Sequence, residues 1–128
     1  MILFAGALLG CFAVGFGAYA EHGLKASIQP ETFSRIETAL RYNLIHAALI
    51  VSIGLAQFGK TDFARSHWLR IAGLGFIAGV VVFCFSIYLS VLLKMPNLTG
   101  FAPFGGMTLI ASWALLGMAG LFCRSRQG

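Results

Sequence analysis

The distribution of charge along the chain constrains its fold more than any other feature. The nine Lys and Arg residues and the four Asp and Glu residues all lie outside four long stretches, which run over 1–20, 42–59, 71–93 and 95–123. A charged side chain at the centre of a bilayer costs about 2.5–3.5 kcal/mol on insertion scales, so a membrane-spanning helix avoids charge. The four charge-free stretches therefore predict four membrane-spanning helices.

The composition indicates a membrane protein and excludes an ordinary soluble domain. Hydrophobic residues make up 59% of the 128 residues and charged residues only 10%, whereas about a quarter of a soluble domain is charged. We place the spans at 2–20, 40–58, 69–93 and 104–122. A helix of about 19 residues reaches roughly 28 Å, close to the thickness of the hydrocarbon core. The sequence thus predicts an all-α membrane protein with a single domain over 1–128.

An amphipathic helix on the membrane surface is predicted over 30–39, between the first two spans. Pro30 suits a first helical turn, because proline lacks the amide donor that this position would leave unpaired. The apolar side chains follow at i, i+3 and i+7, as Phe33, Ile36 and Leu40. Two i, i+4 ion pairs are expected on this helix, Glu31–Arg35 and Glu37–Arg41.

The basic residues are scattered between apolar stretches, so no nucleic-acid partner is expected. The first stretch has no basic segment before it and is predicted to be a retained span, not a signal peptide.

An even number of spans puts both chain ends on one side. That side holds five basic residues, Lys60, Arg65, Arg70, Arg124 and Arg126, and the other side holds four, Lys25, Arg35, Arg41 and Lys94. The positive-inside rule then predicts cytoplasmic termini.

Most polar side chains near the membrane are predicted to share one face, where the first span leads to the second and the third to the fourth. The predicted cluster consists of Glu21, His22, Arg41, Tyr42, His46, Ser86 and Tyr88. His46 is the most informative of them, because an ionisable group inside a span usually faces the bundle interior or a water cavity and takes a partner. The expected partners of His46 are Tyr42, Tyr88, Glu21 and His22.

Two roles for His46 are open. As a clamp, it would hold the second helix against the first and third through an interhelical hydrogen bond, worth about 0.6 kcal/mol on average. As a functional site, it would carry protons or bind a ligand. The histidines and Glu21 have no recognised metal-ligand spacing, so neither metal nor cofactor is predicted. Packing is the expected role of the three cysteines, Cys11, Cys84 and Cys123.

Small residues indicate where helices pack closely, because they let backbones approach in lipid. The predicted packing residues are Gly6, Gly10, Ala13, Gly17, Gly75, Gly79, Gly105 and Gly106. The last two follow Pro103, and a tight turn is their simplest purpose. The alternative is contact with an anion or a neighbouring backbone. Trp68 is expected to anchor the interface, and Trp113 to pack within the fourth span.

Four motifs resemble a family of small four-span bacterial membrane proteins catalogued as a domain of unknown function, with similar proteins in eukaryotes. They lie at 17–24 (GAYAEHGL), 38–47 (TALRYNLIHA), 83–88 (FCFSIY) and 103–106 (PFGG). Cys84 and Phe85 replace a Ser-Gly pair of the family pattern, and Ser112 stands before Trp113 where glycine is expected. The bulky Phe85 argues against a close helix contact at that level. The resemblance implies the fold and a location in the bacterial cytoplasmic membrane, without an established activity.

Three classes of function follow from these features. The leading hypothesis is a structural or assembly protein, or an accessory subunit, that associates with itself or with another membrane protein. The alternative is a small channel or transporter in which Glu21, His22 and His46 relay protons or coordinate a solute; the chain does not identify that solute. An enzyme is not predicted, because the sequence contains no nucleophile–base pairing, phosphate-binding loop or metal motif.

Overall fold

The computed structural model describes residues 1–125, with side chains as far as 122, and consists of packed helices. The α-helices are α1 (Ile2–Tyr19), α2 (Pro30–Ala56), α3 (His67–Val80), α4 (Ser86–Leu92) and α5 (Ala102–Ser125). A π-helical turn over Ala20–Leu24 extends α1, another over Val81–Phe85 joins α3 to α4, and a 3₁₀ helix over Pro96–Phe101 leads into α5. Four segments are long and apolar enough to cross a membrane: Ile2–Leu24, Pro30–Ala56, His67–Leu92 and Pro96–Phe122. The predicted all-α fold with four spans is confirmed.

The first two spans form a helical hairpin whose spacing depends on glycine. A Cβ atom added to Gly6 would lie 2.8 Å from the Val51 amide nitrogen, and one added to Gly54 would lie 2.5 Å from the Leu3 Cα. Both distances are too short for a real side chain, so the two backbones touch where they cross. Three other small residues of α1 lie buried or half-buried on the side that faces α2, Gly10, Ala13 and Gly17.

The third and fourth spans form a second hairpin, which brings α5 against α3 and the π-helical turn. A Cβ atom on Gly79 would lie 2.7 Å from the Leu109 side chain. One on Gly75 would collide with the Ser112 hydroxyl. The serine at the position where the family pattern has glycine therefore faces a glycine on the opposite helix.

Gly105 and Gly106 lie inside α5, so the predicted tight turn is wrong. A Cβ atom on Gly105 would lie 2.7 Å from the Phe83 Cα, whereas one on Gly106 would come no closer than 3.9 Å to the Phe83 ring. The expectation that Phe85 prevents close approach here is also wrong. Phe85 turns toward α1 and stacks on Phe12 at 4.8 Å, and the backbone of Phe83 is what faces α5.

The segment predicted as a surface helix is helical and continuous with the second span. α2 has 27 residues, or about 40 Å, which exceeds the hydrocarbon thickness by some 10 Å. Phe33, Ile36 and Ala39 are buried in the bundle, so the apolar stripe faces protein. In residues 1–122 neither predicted ion pair of this segment forms, and the acidic residue that does pair is Glu21, with Lys25. Exposed pairs gain little over hydration, so these alternatives differ little in energy.

Each connection has a local cause in the sequence. Gln29 is extended and Pro30 begins α2. At the end of α4, Lys94 adopts a left-handed conformation with φ 53°, and the Met95 amide donates to the Ser90 carbonyl at 2.9 Å. This hydrogen bond defines a Schellman turn, in which glycine usually occupies the left-handed position. Pro96 then prevents the helix from continuing.

The two ends of the bundle hold different sets of loops. At one end Met1 lies beside Gln57, Arg65 and Arg70 around a shared cleft. Near the same end Trp68 stacks on Phe122 at 6.0 Å. The start of the first span and the end of the fourth therefore lie at the same end of the bundle. Arg126 lies outside the described residues, as do the side chains of Cys123 and Arg124.

The interior and the outer surface are both apolar. Ile36, Ile50, Phe76 and Val80 are completely buried at the centre. Large hydrophobic side chains also cover the outward faces of α1 and α5, including Phe4, Leu8, Phe104 and Ile110. Such a surface suits hydrocarbon, because lipid requires no polar cover.

Candidate functional site

His46 lies in the middle of α2 with both ring nitrogens in hydrogen bonds. Nδ1 is 2.8 Å from the backbone oxygen of Tyr42, one turn earlier. The indole Nε1 of Trp113 is 3.3 Å from Nε2. A carbonyl oxygen and an indole N–H have fixed roles as acceptor and donor. His46 therefore donates through Nδ1 and accepts at Nε2 from α5.

Aromatic rings surround this histidine. The Tyr42 ring stacks on the imidazole at 5.9 Å, and the Phe76 ring lies 5.7 Å away. Trp113 also packs edge-on against Phe76, at 5.3 Å. His46 is only 5% exposed, whereas Tyr42 and Trp113 are 43% and 49% exposed, so α2, α3 and α5 meet at one aromatic cluster that covers the imidazole. The interhelical hydrogen bond of His46 joins α2 to α5, whereas the sequence predicts a bond to the first or third span.

Of the four expected partners of His46, Tyr42 contacts it, through its backbone oxygen and its ring. Sequence reasoning missed Trp113 as a partner and treated it as packing. One signal was available: Trp113 is a hydrogen-bond donor deep in a span, and a buried indole N–H normally finds an acceptor. The helix rotation that brings it to His46 is not readable from the sequence.

A second polar group is completely or almost completely buried in the bundle, and its member Asn43 was missed by sequence reasoning. Asn43 is completely buried, Tyr88 is 1% exposed and Cys84 is completely buried. These three side chains are close enough to interact electrostatically. Within the part of the chain that the structure describes, the Asn43 amide atoms and the Tyr88 hydroxyl nevertheless have no hydrogen-bond partner of ordinary geometry. The Cys84 thiol donates to the Ala39 carbonyl at 3.2 Å.

The signal for Asn43 was its position three residues before His46 in an otherwise apolar span. Residues at i and i+3 share a helix face, so Asn43 is expected to face the interior if His46 does. Tyr88 was predicted in the polar cluster, and the structure places it elsewhere, against the Phe12 and Phe16 rings of α1 at 5.8 and 4.6 Å.

The remaining members of the predicted cluster do not join His46. Glu21 and His22 are exposed on the π-helical turn after α1. Glu21 accepts a hydrogen bond from Lys25, and this bond together with the negative charge raises the pKa of Lys25. Glu21 and Arg41 line one groove of about 290 Å³ between α1 and α2. The predicted cluster therefore divides into a buried part and a surface part.

The buried hydroxyl groups bond within their own helices. Ser86 donates to the Phe83 carbonyl at 2.9 Å, and Ser90 to the Ile87 carbonyl at 2.7 Å. Ser112 donates to the Thr108 carbonyl at 2.7 Å. Among the described residues no three His, Cys, Asp or Glu side chains converge to hold a metal. Cys84 is buried, and Cys11 is exposed on α1.

A family model described as "Protein of unknown function (DUF423)" matches residues 16–106. The chain is 33% identical over 116 residues to the UPF0382 membrane protein SAB0533 of Staphylococcus aureus (strain bovine RF122 / ET3-1), covering 91% of each chain. The UPF0382 membrane protein of Haemophilus influenzae is 29% identical over 113 residues, covering 86% of this chain and 85% of its own length. The UPF0382 membrane protein YwdK of Bacillus subtilis (strain 168) is 27% identical over 119 residues, covering 93% of this chain and 94% of its own length. No solved structure shows a significant match. With four apolar spans and relatives of this kind along nearly its whole length, the chain belongs to the DUF423 family of membrane proteins of unknown function.

Proposed function

We propose that this protein is a non-catalytic structural or assembly component of the bacterial cytoplasmic membrane, acting with other copies of itself or with another membrane protein. The observation that carries this proposal is the bonding of His46, whose Nδ1 bonds the Tyr42 carbonyl within α2 and whose Nε2 accepts the Trp113 indole N–H from α5. A histidine with this bonding serves as an interhelical clamp.

A proton relay requires a different arrangement. The relaying imidazole takes a proton on one nitrogen and releases one from the other, so its neighbours must be able to give and to accept protons. The Trp113 indole donates a hydrogen bond but does not release its proton, and the Tyr42 carbonyl is not a base. Glu21 and His22, the other proposed relay groups, are exposed at the bundle end. These contacts favour the clamp over the relay.

The other buried hydrogen bonds support the same role. The thiol of Cys84 reaches across to the Ala39 carbonyl, and so connects the π-helical turn with α2. The hydroxyl groups of three buried serines donate hydrogen bonds to carbonyl groups of their own helices. The Cys84 bond links two elements of the bundle, and the three serine hydroxyls are satisfied within their own helices.

Orientation in the cytoplasmic membrane, with both termini inside, rests on the five-to-four excess of basic residues counted from the sequence. Arg65 and Arg70 lie near Met1 at one end of the bundle, and Arg35 and Lys94 lie together at the other end. The positive-inside rule assigns the end with Met1 to the cytoplasm.

A double-mutant cycle tests the clamp. His46→Ala and Trp113→Phe are each expected to destabilise the detergent-solubilised protein, with a coupling free energy of about 0.5–1.5 kcal/mol between them. Trp68→Phe, which removes the other tryptophan, is the matched control and should show no coupling to His46→Ala. Zero coupling between His46 and Trp113, or proton flux into liposomes that disappears in His46→Ala, would overturn the clamp.

Native mass spectrometry after mild solubilisation tests the assembly role. We expect a homo-oligomer, or a stable complex with one defined membrane protein. A monomer at every protein concentration, with no associated protein, would contradict this part of the proposal.

A small channel or transporter is the second candidate, and one observation favours it. The buried amide of Asn43 and the hydroxyl of Tyr88 lie near each other without an ordinary hydrogen bond in the described residues, and unsatisfied buried polar groups cost about 1–3 kcal/mol each. The alternative predicts solute flux into proteoliposomes that falls in Asn43→Leu. Unchanged flux, or none, would exclude it.

A further inference from the structure

A cleft of about 660 Å³ opens at the end of the bundle away from Met1. Its walls come from the loop after the first span, the start of α2, the end of α4 and the 3₁₀ helix. Ile28, Ile87 and Val91 form the apolar part of the wall, and Arg35 and Lys94 form the charged part. The cleft therefore has an apolar and a cationic side within one space.

The charge in this cleft has a single sign. Arg35 comes from α2 and Lys94 from the turn after α4, and the lining contains no Asp or Glu. In the part of the chain with described side chains, neither Arg35 nor Lys94 forms an ion pair, since the salt bridge found there joins Lys25 to Glu21. Two unpaired cations at one cavity attract an anion, because the apolar walls weaken screening by water.

The backbone at Lys94 adds a second, independent observation. This lysine occupies the left-handed position of a helix-terminating turn, with φ 53°. The conformation is unfavourable for a residue other than glycine, and glycine is the usual occupant. A lysine kept at a position that favours glycine, on the rim of a cavity, supports a role for its cation there.

We infer that this cleft binds the phosphate headgroup of an anionic phospholipid, with Arg35 and Lys94 as the cationic contacts and with Ile28, Ile87 and Val91 against the start of the acyl chains. The ligand class follows from the combination of walls. A free phosphate ion gains nothing from the apolar surface, whereas a lipid at the membrane boundary presents phosphate and hydrocarbon together.

Thermal unfolding in dodecyl maltoside with added lipid tests this inference. Phosphatidylglycerol is expected to raise the Tm more than phosphatidylcholine at equal concentration. Native mass spectrometry should show a preference for phosphatidylglycerol that falls about fivefold for each cation removed. The variants are Arg35→Gln and Lys94→Gly, and Lys60→Gln at the opposite end is the control that keeps the wild-type preference.

Lys94→Gly separates lipid binding from folding. It removes the charge while relieving the left-handed backbone, so a lost preference for phosphatidylglycerol in this variant does not come from poor folding. An equal preference in wild type, Arg35→Gln and Lys94→Gly would overturn the inference. Sodium phosphate that protects as strongly as phosphatidylglycerol would overturn the lipid assignment in favour of a free anion.

Discussion

Replacing each of two adjacent glycines by alanine tests whether the backbone contact between α5 and the π-helical turn holds the second hairpin together. In Gly105→Ala, the new methyl carbon would lie 2.7 Å from the Phe83 Cα and 2.8 Å from its Cβ. In Gly106→Ala, the nearest atom of Phe83 is 3.9 Å away, an ordinary contact. Both changes occur in the same helix and add the same atom, so Gly106→Ala is a matched control.

The expected magnitude follows from these distances. The Phe83 amide nitrogen lies closer still, so relief of the Gly105 contact requires the two backbones to separate by about 1 Å, and overpacking of this kind costs about 1–3 kcal/mol. Alanine also favours a helix over glycine by up to about 1 kcal/mol. This gain is common to both variants and cancels when they are compared. Gly105→Ala should therefore be less stable than Gly106→Ala by about 1–3 kcal/mol.

The free energy of unfolding can be measured by titrating dodecyl maltoside micelles with sodium dodecyl sulfate and following helix content by circular dichroism. Gly106→Ala is expected to match or exceed the wild type, and Gly105→Ala to fall below it. Free energies of unfolding for the two variants within about 0.5 kcal/mol of each other would refute this prediction, because the close contact with Phe83 would then not affect stability.

Three further predictions follow from single contacts and from the topology. Lys94→Gly should raise the free energy of unfolding by about 0.5–1 kcal/mol in the same titration, and a decrease would contradict the strain at this turn. In a cysteine-free background, a membrane-impermeant thiol reagent should label Glu21→Cys and Lys94→Cys from one side and Lys60→Cys from the other; labelling of the first two from opposite sides would disprove four spans. Gly75→Ala should destabilise the protein, and adding Ser112→Gly should restore at least half of that loss. A double variant no more stable than Gly75→Ala would exclude this contact.

The spans, their order and the grouping of loops at two ends were predictable from the sequence, because they depend on energies that are local along the chain. Each charged residue, such as Glu21 or Lys60, excludes its own neighbourhood from hydrocarbon regardless of what surrounds it. Pro30 and Pro96 likewise mark helix boundaries through their own covalent structure. A pattern with local causes can be read without knowing the fold.

The extent of the second helix was decided by tertiary packing. The stripe that includes Phe33 and Ile36 has the same apolar pattern whether it rests on lipid or on protein. Periodicity identifies a buried face but not the material that buries it. The structure turns this stripe inward and continues the helix into the span.

The contacts of the candidate site also depended on the tertiary structure, for a related reason. α1 and α5 are apolar nearly all round, so composition does not determine how each helix is rotated about its axis. That rotation decides whether Trp113 reaches His46, whether Tyr88 faces Asn43, and which glycine meets Phe83. The sequence determined that the chain crosses the membrane four times, because burying charge in hydrocarbon is costly wherever it occurs. Only the packed bundle decided which side chains meet, because in lipid close packing, not hydrophobicity, selects the helix faces in contact.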